Sequence, residues 1–308
     1  MANPALKSLI EKLMAEPISN CAKVYLSRKV PSKYHSHRPS VSDSVQQEIL
    51  SVVLPYIAKQ LECNTIVDYN SIGVADGEIE SMQSAQIPLI TEYLKSLSDD
   101  EVFTDMSTLQ IGKIEFYCVE ITVDGEKLYL LRQFQKLKRL RKGIIAQLIS
   151  DELSVIDNNF LGIDETTDIL LYSDNVYLFN HISLERIFEY KDEFLRQTKE
   201  ALGKILTRGI IENIDQFADD CCWDIRIMKR FTQIMTKDRL PIFFENYEKV
   251  LEIVVELGLD IEFNGEGHLI FYREKSQLFH IINLLSDSYF RSLIADRIGV
   301  VKTEGDTV

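Results

Sequence analysis

Apolar positions along the chain follow two spacings, near 3.6 residues where a helix face repeats and near two where a strand alternates. Leu6, Leu9, Ile10 and Leu13 sit at helical spacing within residues 5–16, and Pro17 stops the pattern. NCAKVYLSRKV has the content of a strand, whereas the proline-bounded PSKYHSHRPS reads as a polar loop. Ser42-Asp43 caps an apolar-periodic helix running to Cys63, with a kink expected at Pro55. TIVDYN predicts a strand, GVADGEIE a turn region, and residues 86–97 another helix.

The clearest local signal is IEFYCVEITVDGEKLYLLRQF, in which two β-rich runs flank Asp124-Gly125, a dipeptide suited to a type I′ hairpin turn. DELSVIDNNFLGIDETTD reads as a boundary region. DILLYSDNVYLFN predicts a second hairpin, and ISLERIFEYKDEFLRQTKEALGKIL one long amphipathic helix. Two more helices are expected over 210–237 and 241–257, then a third hairpin in IEFNGEGHLIFY and a final helix through KSQLFHIINLLSDSYFRSLIA. The expectation is an α/β protein of the α+β type, with mixed or antiparallel hairpin-based sheets packed with helices. Its two subdomains would be an N-terminal one over 1–150 and a C-terminal one over 151–308.

A length of 308 residues accommodates two packed domains, and the 45% hydrophobic and 27% charged fractions are those of a globular chain. Five cysteines form no CxxC pair, no secretory leader opens the sequence and no run is long and apolar enough to span a bilayer. These features predict a cytoplasmic protein with reduced thiols, reaching a membrane only through a partner.

Charge changes the picture most. The net charge is −14, yet RQFQKLKRLRKG, directly after the second strand of the first hairpin, holds six basic residues and no acid. They are Arg132, Lys136, Lys138, Arg139, Arg141 and Lys142. Such a segment neutralises phosphates and releases counterions, giving a salt-dependent affinity; an anionic leaflet or an acidic protein surface would also suit it. A second acid-free window, Pro17 to Ser42, carries Lys23, Arg28, Lys29, Lys33 and Arg38 with His35 and His37. If the windows meet in space, they form one positive face on an acidic body.

Catalytic readings are weaker. His35-x-His37 supplies two candidate ligands with no third spaced to complete a metal site, so no metal and no cofactor are expected. Glu115, Glu120 and Asp124 on the first hairpin suggest a metal-dependent nuclease, but Glu126 and Lys127 are adjacent and lack the Glu-x-Lys spacing of restriction-type sites. Cys221-Cys222 point in different directions on a helix, and no Gly-rich phosphate loop, GxSxG or HExxH occurs. A non-enzymatic scaffold that docks through its basic segment is the remaining alternative.

The run GIDETTDILLYSDNVYLFNHISLERIFEYKDEFLRQTKEAL and the ending DSYFRSLIADRIGV resemble a bacterial family whose known members are the B proteins of Kiwa anti-phage systems. The resemblance covers about residues 100–300 and rests on structural positions, with no catalytic signature. It implies an antiviral protein, encoded beside a membrane-embedded Kiwa A protein, that binds phage DNA without strong sequence preference and assembles as a homodimer or higher oligomer. Recruitment to the inner membrane would come from that partner.

Overall fold

The computed structural model describes residues 4–15, 21–31, 33–98, 101–134, 146–149, 152–155, 162–188, 190–264, 269–292 and 297–300. They divide into two compact units, Met1–Tyr69 with Asp76–Phe188, and Asn70–Ala75 with Glu189–Val308.

The first unit contains α1 (Pro4–Ala15), β1 (Ala22–Val30), β2 (Lys33–His37), α2 (Asp43–Cys63), β3 (Thr65–Asp68), β4 (Glu78–Gln83) and α3 (Pro88–Ser96). It continues with β5 (Phe116–Val123), β6 (Glu126–Gln133), β7 (Ala146–Ile149), β8 (Glu152–Val155), β9 (Ile169–Tyr172), β10 (Asn175–Leu178) and α4 (His181–Phe188). Eight of these strands form one sheet in the order β2-β1-β5-β6-β9-β10-β4-β3; all neighbours are antiparallel except β3 and β4. β7 and β8 pair with each other.

Side chains alternate across this sheet. Val24, Leu26, Val119, Ile121, Leu128, Leu130 and Leu170 lie on one face and pack with Leu6 and Ile10 of α1 and Ile49, Val53 and Ile57 of α2. On the other face Tyr34, Tyr93, Phe116 and Phe188 meet largely edge-on, with ring centres 5.1–6.3 Å apart. Aromatic pairs of this kind contribute about 0.5–1.5 kcal/mol each beyond the area they bury. Tyr34 thereby anchors β2, the edge strand, to α3 and α4.

Several expectations need correction. PSKYHSHRPS, polar enough for a loop, contains β2. Its alternation is polar because Ser36 points inward to Ser27 (Oγ to Oγ, 2.9 Å), which in turn meets the Tyr93 hydroxyl at 3.0 Å. Glu78 and Ile79, within the expected turn region, begin β4. The helix at Asp43 runs unbroken past Pro55 to Cys63. Asp124-Gly125 forms the expected hairpin turn, with φ of 52° and 84°, the positive pair that a type I′ turn requires.

The second unit holds α5 (Lys191–Arg208), β11 (Ile211–Glu212), α6 (Ile214–Trp223), α7 (Ile225–Thr236), α8 (Arg239–Glu245), α9 (Tyr247–Leu257), β12 (Glu262–Phe263) and β13 (Ile270–Phe271). α10 (Lys275–Leu285), β14 (Tyr289–Arg291) and β15 (Ile298–Val300) complete it. Its core joins Ala201, Ile205, Phe217, Phe231, Ile270 and Ile281. The long helix expected after the second hairpin is two helices, α4 and α5, and the units divide between them. The main division between the units lies at 188–189, and β9 and β10 belong to the eight-stranded sheet of the first. Each of the two helices expected over 210–237 and 241–257 is also split: Asp224 ends α6 and caps α7, and Asn246 ends α8 and opens α9. The last helix stops at Leu285, after which Asp287 turns the chain at a φ of 53° into β14.

Candidate nucleic-acid interface

Sheet register decides which basic residues share a place. Ser27, Phe116 and Gln133 stand in one row across β1, β5 and β6. One row further on, Phe134 N donates to the Glu115 carbonyl at 2.7 Å, Glu115 N donates to the Ser27 carbonyl at 3.0 Å, and Arg28 is the partner of His35 on β2. Phe134, Glu115, Arg28 and His35 therefore form the last row that reaches from β6 to β2, with Phe134 and Arg28 about 10 Å apart at ordinary strand spacing. Phe134 is the last described residue before the basic block. Phe134 thus lies at the end of the sheet that carries Arg28, Lys29 and Lys33. Lys136, Lys138, Arg139, Arg141 and Lys142 themselves lie outside the described residues.

The N-terminal window is only partly gathered there. Arg28, Lys33, His35 and His37 share the face that α1 and α2 cover further along, since directly paired residues point the same way. Lys29 points to the opposite face, and its backbone N–H donates to the Glu115 carboxylate at 2.8 Å. Lys23 is exposed at the far end of β1, opposite Glu120, and Arg38 follows β2 beside Tyr25, whose hydroxyl it meets. The sequence window is one run, but alternation and strand length spread it over two faces.

Arg132 is engaged by two carboxylates within the sheet. Its guanidinium holds Asp168 at 2.7 Å and Asp164 at 3.0 Å, and its side chain is 14% exposed against 2% for Asp168. Asp168 also accepts from Gln133 N at 2.7 Å and from the Asn180 amide at 3.2 Å. Burial pushes the Asp164 carboxyl up, but hydrogen bonds from Arg132 and Thr166 outweigh it and hold the group below its ordinary range. Arg132 joins β6 to the segment entering β9. Nothing in the composition of RQFQKLKRLRKG separates it from its neighbours; the signal was its place inside a strand, facing Asp164 and Asp168 in the following run.

The three acids named for a nuclease are not gathered into a site. Glu115 and Asp124 stand nine residues apart along one strand and its turn, about 30 Å when extended. Glu120, between them, is buried, accepts from the Tyr25 hydroxyl at 2.9 Å and pairs with Lys127 at 3.0 Å. That pairing raises the Lys127 pKa, chiefly through the hydrogen bond, so the lysine is charged and internally engaged. Asp124 pairs with Lys12. Among the described residues no group of three His, Cys, Asp or Glu side chains is placed to hold a metal ion. A cavity of about 320 Å³ lies beside Lys127 and Tyr129, floored by Leu94 and Leu171 and rimmed by Gly125 and Ser173, at the opposite end of the sheet from Arg28.

Sequence reading missed Phe103. It adds to the outer edge of β2 in a parallel bridge with His37 and is 42% exposed. Burial and the charges of Lys33 and Arg28 lower the His35 pKa, and burial, Arg28 and His35 lower that of His37 against the opposing Asp105. Both rings are neutral at pH 7.

Among the described residues, no helix is long and apolar enough to cross a membrane. A sequence model of the family described as Kiwa protein KwaB-like matches residues 111–295, more than half of the chain. No curated protein and no solved structure matches.

Proposed function

The chain belongs to the Kiwa protein KwaB-like family and is a component of anti-phage defence, and we propose that within this defence it binds DNA without strong sequence preference through the basic end of its large sheet. The observation that carries the reading is the row in which Phe134, the last described residue before Lys136, stands across Glu115 from Arg28 and His35. Arg28, Lys29 and Lys33 with Lys136, Lys138, Arg139, Arg141 and Lys142 supply the phosphate contacts. Lys23 and Arg38 lie further down the sheet and contribute at most at its margin. Arg132, which ties β6 to the segment entering β9, is left out of the phosphate-binding set.

An acidic remainder repels the duplex elsewhere, so the positive charge that matters is local and the encounter is steered to one end. The membrane-embedded Kiwa A protein is the partner that brings the chain to the inner membrane, and the working form is a homodimer or higher oligomer. The test is retention of a labelled duplex by the purified full chain and by a variant with Lys136, Lys138, Arg139, Arg141 and Lys142 changed to Ala. Loss of retention in the variant supports the reading, and equal retention rejects the block as the DNA-binding segment.

A further inference from the structure

Phe103 sits in an aromatic stack at the margin of that same end. Its ring centre is 5.2 Å from that of His37, with the planes 27° apart, and 5.3 Å from that of His35, tilted by 51°. The residue is clamped at both backbone groups: its N–H donates to the Ser36 carbonyl at 3.0 Å, and its carbonyl accepts from Arg38 N at 2.9 Å. His37, buried behind it, is set by the Thr108 hydroxyl at 3.2 Å. A large apolar ring is thus held rigidly with 42% of its surface in water. Arg28 and Lys33 share the sheet face of His35 and His37, so cations flank the stack.

A rigid, backed aromatic face with adjacent cations suits a nucleobase whose π-face is free, because stacking is indifferent to base identity while the phosphates meet the cations. Bases inside a duplex have both faces covered and cannot stack on it. We infer that Phe103, backed by His37 and flanked by His35, is a stacking platform for an unpaired nucleobase whose neighbouring phosphates meet Arg28 and Lys33. This rests on the nucleic-acid reading above and adds a preference for single strands or melted ends.

Fluorescence anisotropy at one salt concentration tests it, with a labelled oligothymidine of about 16 nucleotides, the upper range of one binding module, and a duplex of equal length. Phe103→Ala weakens single-strand binding about tenfold, the effect of removing one stack, and leaves duplex binding unchanged within about twofold. Phe103→Trp keeps wild-type affinity for both. Phe103→Leu retains apolar bulk without a π-face and matches the Ala variant, which separates loss of stacking from loss of folding. Equal losses on both nucleic acids in the Leu variant, or none on the single strand, overturn the platform while DNA binding stands. Wild-type protein that binds neither nucleic acid overturns both readings.

Discussion

Arg132 and Glu115 show how little a residue's type says about its work. Arg132 lies in the most basic stretch of the sequence, yet two carboxylates hold it. Removing one partner of a buried pair leaves an uncompensated charge, at a cost of about 3–5 kcal/mol. Arg132→Ala therefore lowers stability by about 3 kcal/mol, at the low end because Asp168 keeps two other donors, as measured by urea unfolding at pH 7. The sign with pH follows from Asp164. A carboxylate with a depressed pKa stabilises the fold above its ordinary value, about 4, and loses that contribution as pH falls through the lowered value. The gap between wild type and Arg132→Ala closes below that range. Glu115, an acid inside a basic row, makes the opposite prediction about binding. Glu115→Gln keeps an acceptor for Lys29 N and removes a negative charge, so duplex affinity rises severalfold in a binding assay. A catalytic carboxylate would give no such gain. Neither role was legible in the sequence, because both depend on which strand lies next to which.

Among the elements, the strongly patterned ones were readable: α1, α2, β1, the β5–β6 hairpin and the β9–β10 hairpin all stand where their periodicity put them. What failed were elements specified by partners. β2 has a polar alternation that only the buried Ser27–Ser36–Tyr93 chain makes sense of. Helix boundaries inside continuous amphipathic runs were invisible where a single polar residue does the cutting. Asp224 is one: its side chain accepts from Arg226 N at 2.9 Å and caps α7. Asp224→Ala costs about 1 kcal/mol, the usual worth of a cap, and Asp224→Asn, which keeps the acceptor, costs less, both read from urea midpoints. An Asp224→Ala variant as stable as wild type would show that α7 starts without its cap.

For the whole molecule, net charge and the local charge of the proposed interface differ in sign. A pI near 4.9 disfavours nucleic acid for the chain taken whole, and the proposal rests on the local charge at the sheet end. The basic block and the Arg28 window were legible as anomalies of composition, but that Arg28 and Phe134 share one row was not, since only the β1–β5–β6 register places them there. The three acids named for a nuclease are spread along one strand and its turn, with Glu120 engaged by Tyr25 and Lys127. The most direct test of the account is the salt dependence of duplex affinity for wild type, for Arg28→Ala with Lys33→Ala, for the five-residue block variant, and for the two combined. Each phosphate interaction removed flattens the slope of log affinity against log salt by about 0.9. The account predicts flattening in both separate variants and the shallowest slope in the combined one. A slope unchanged from wild type in all three would contradict it.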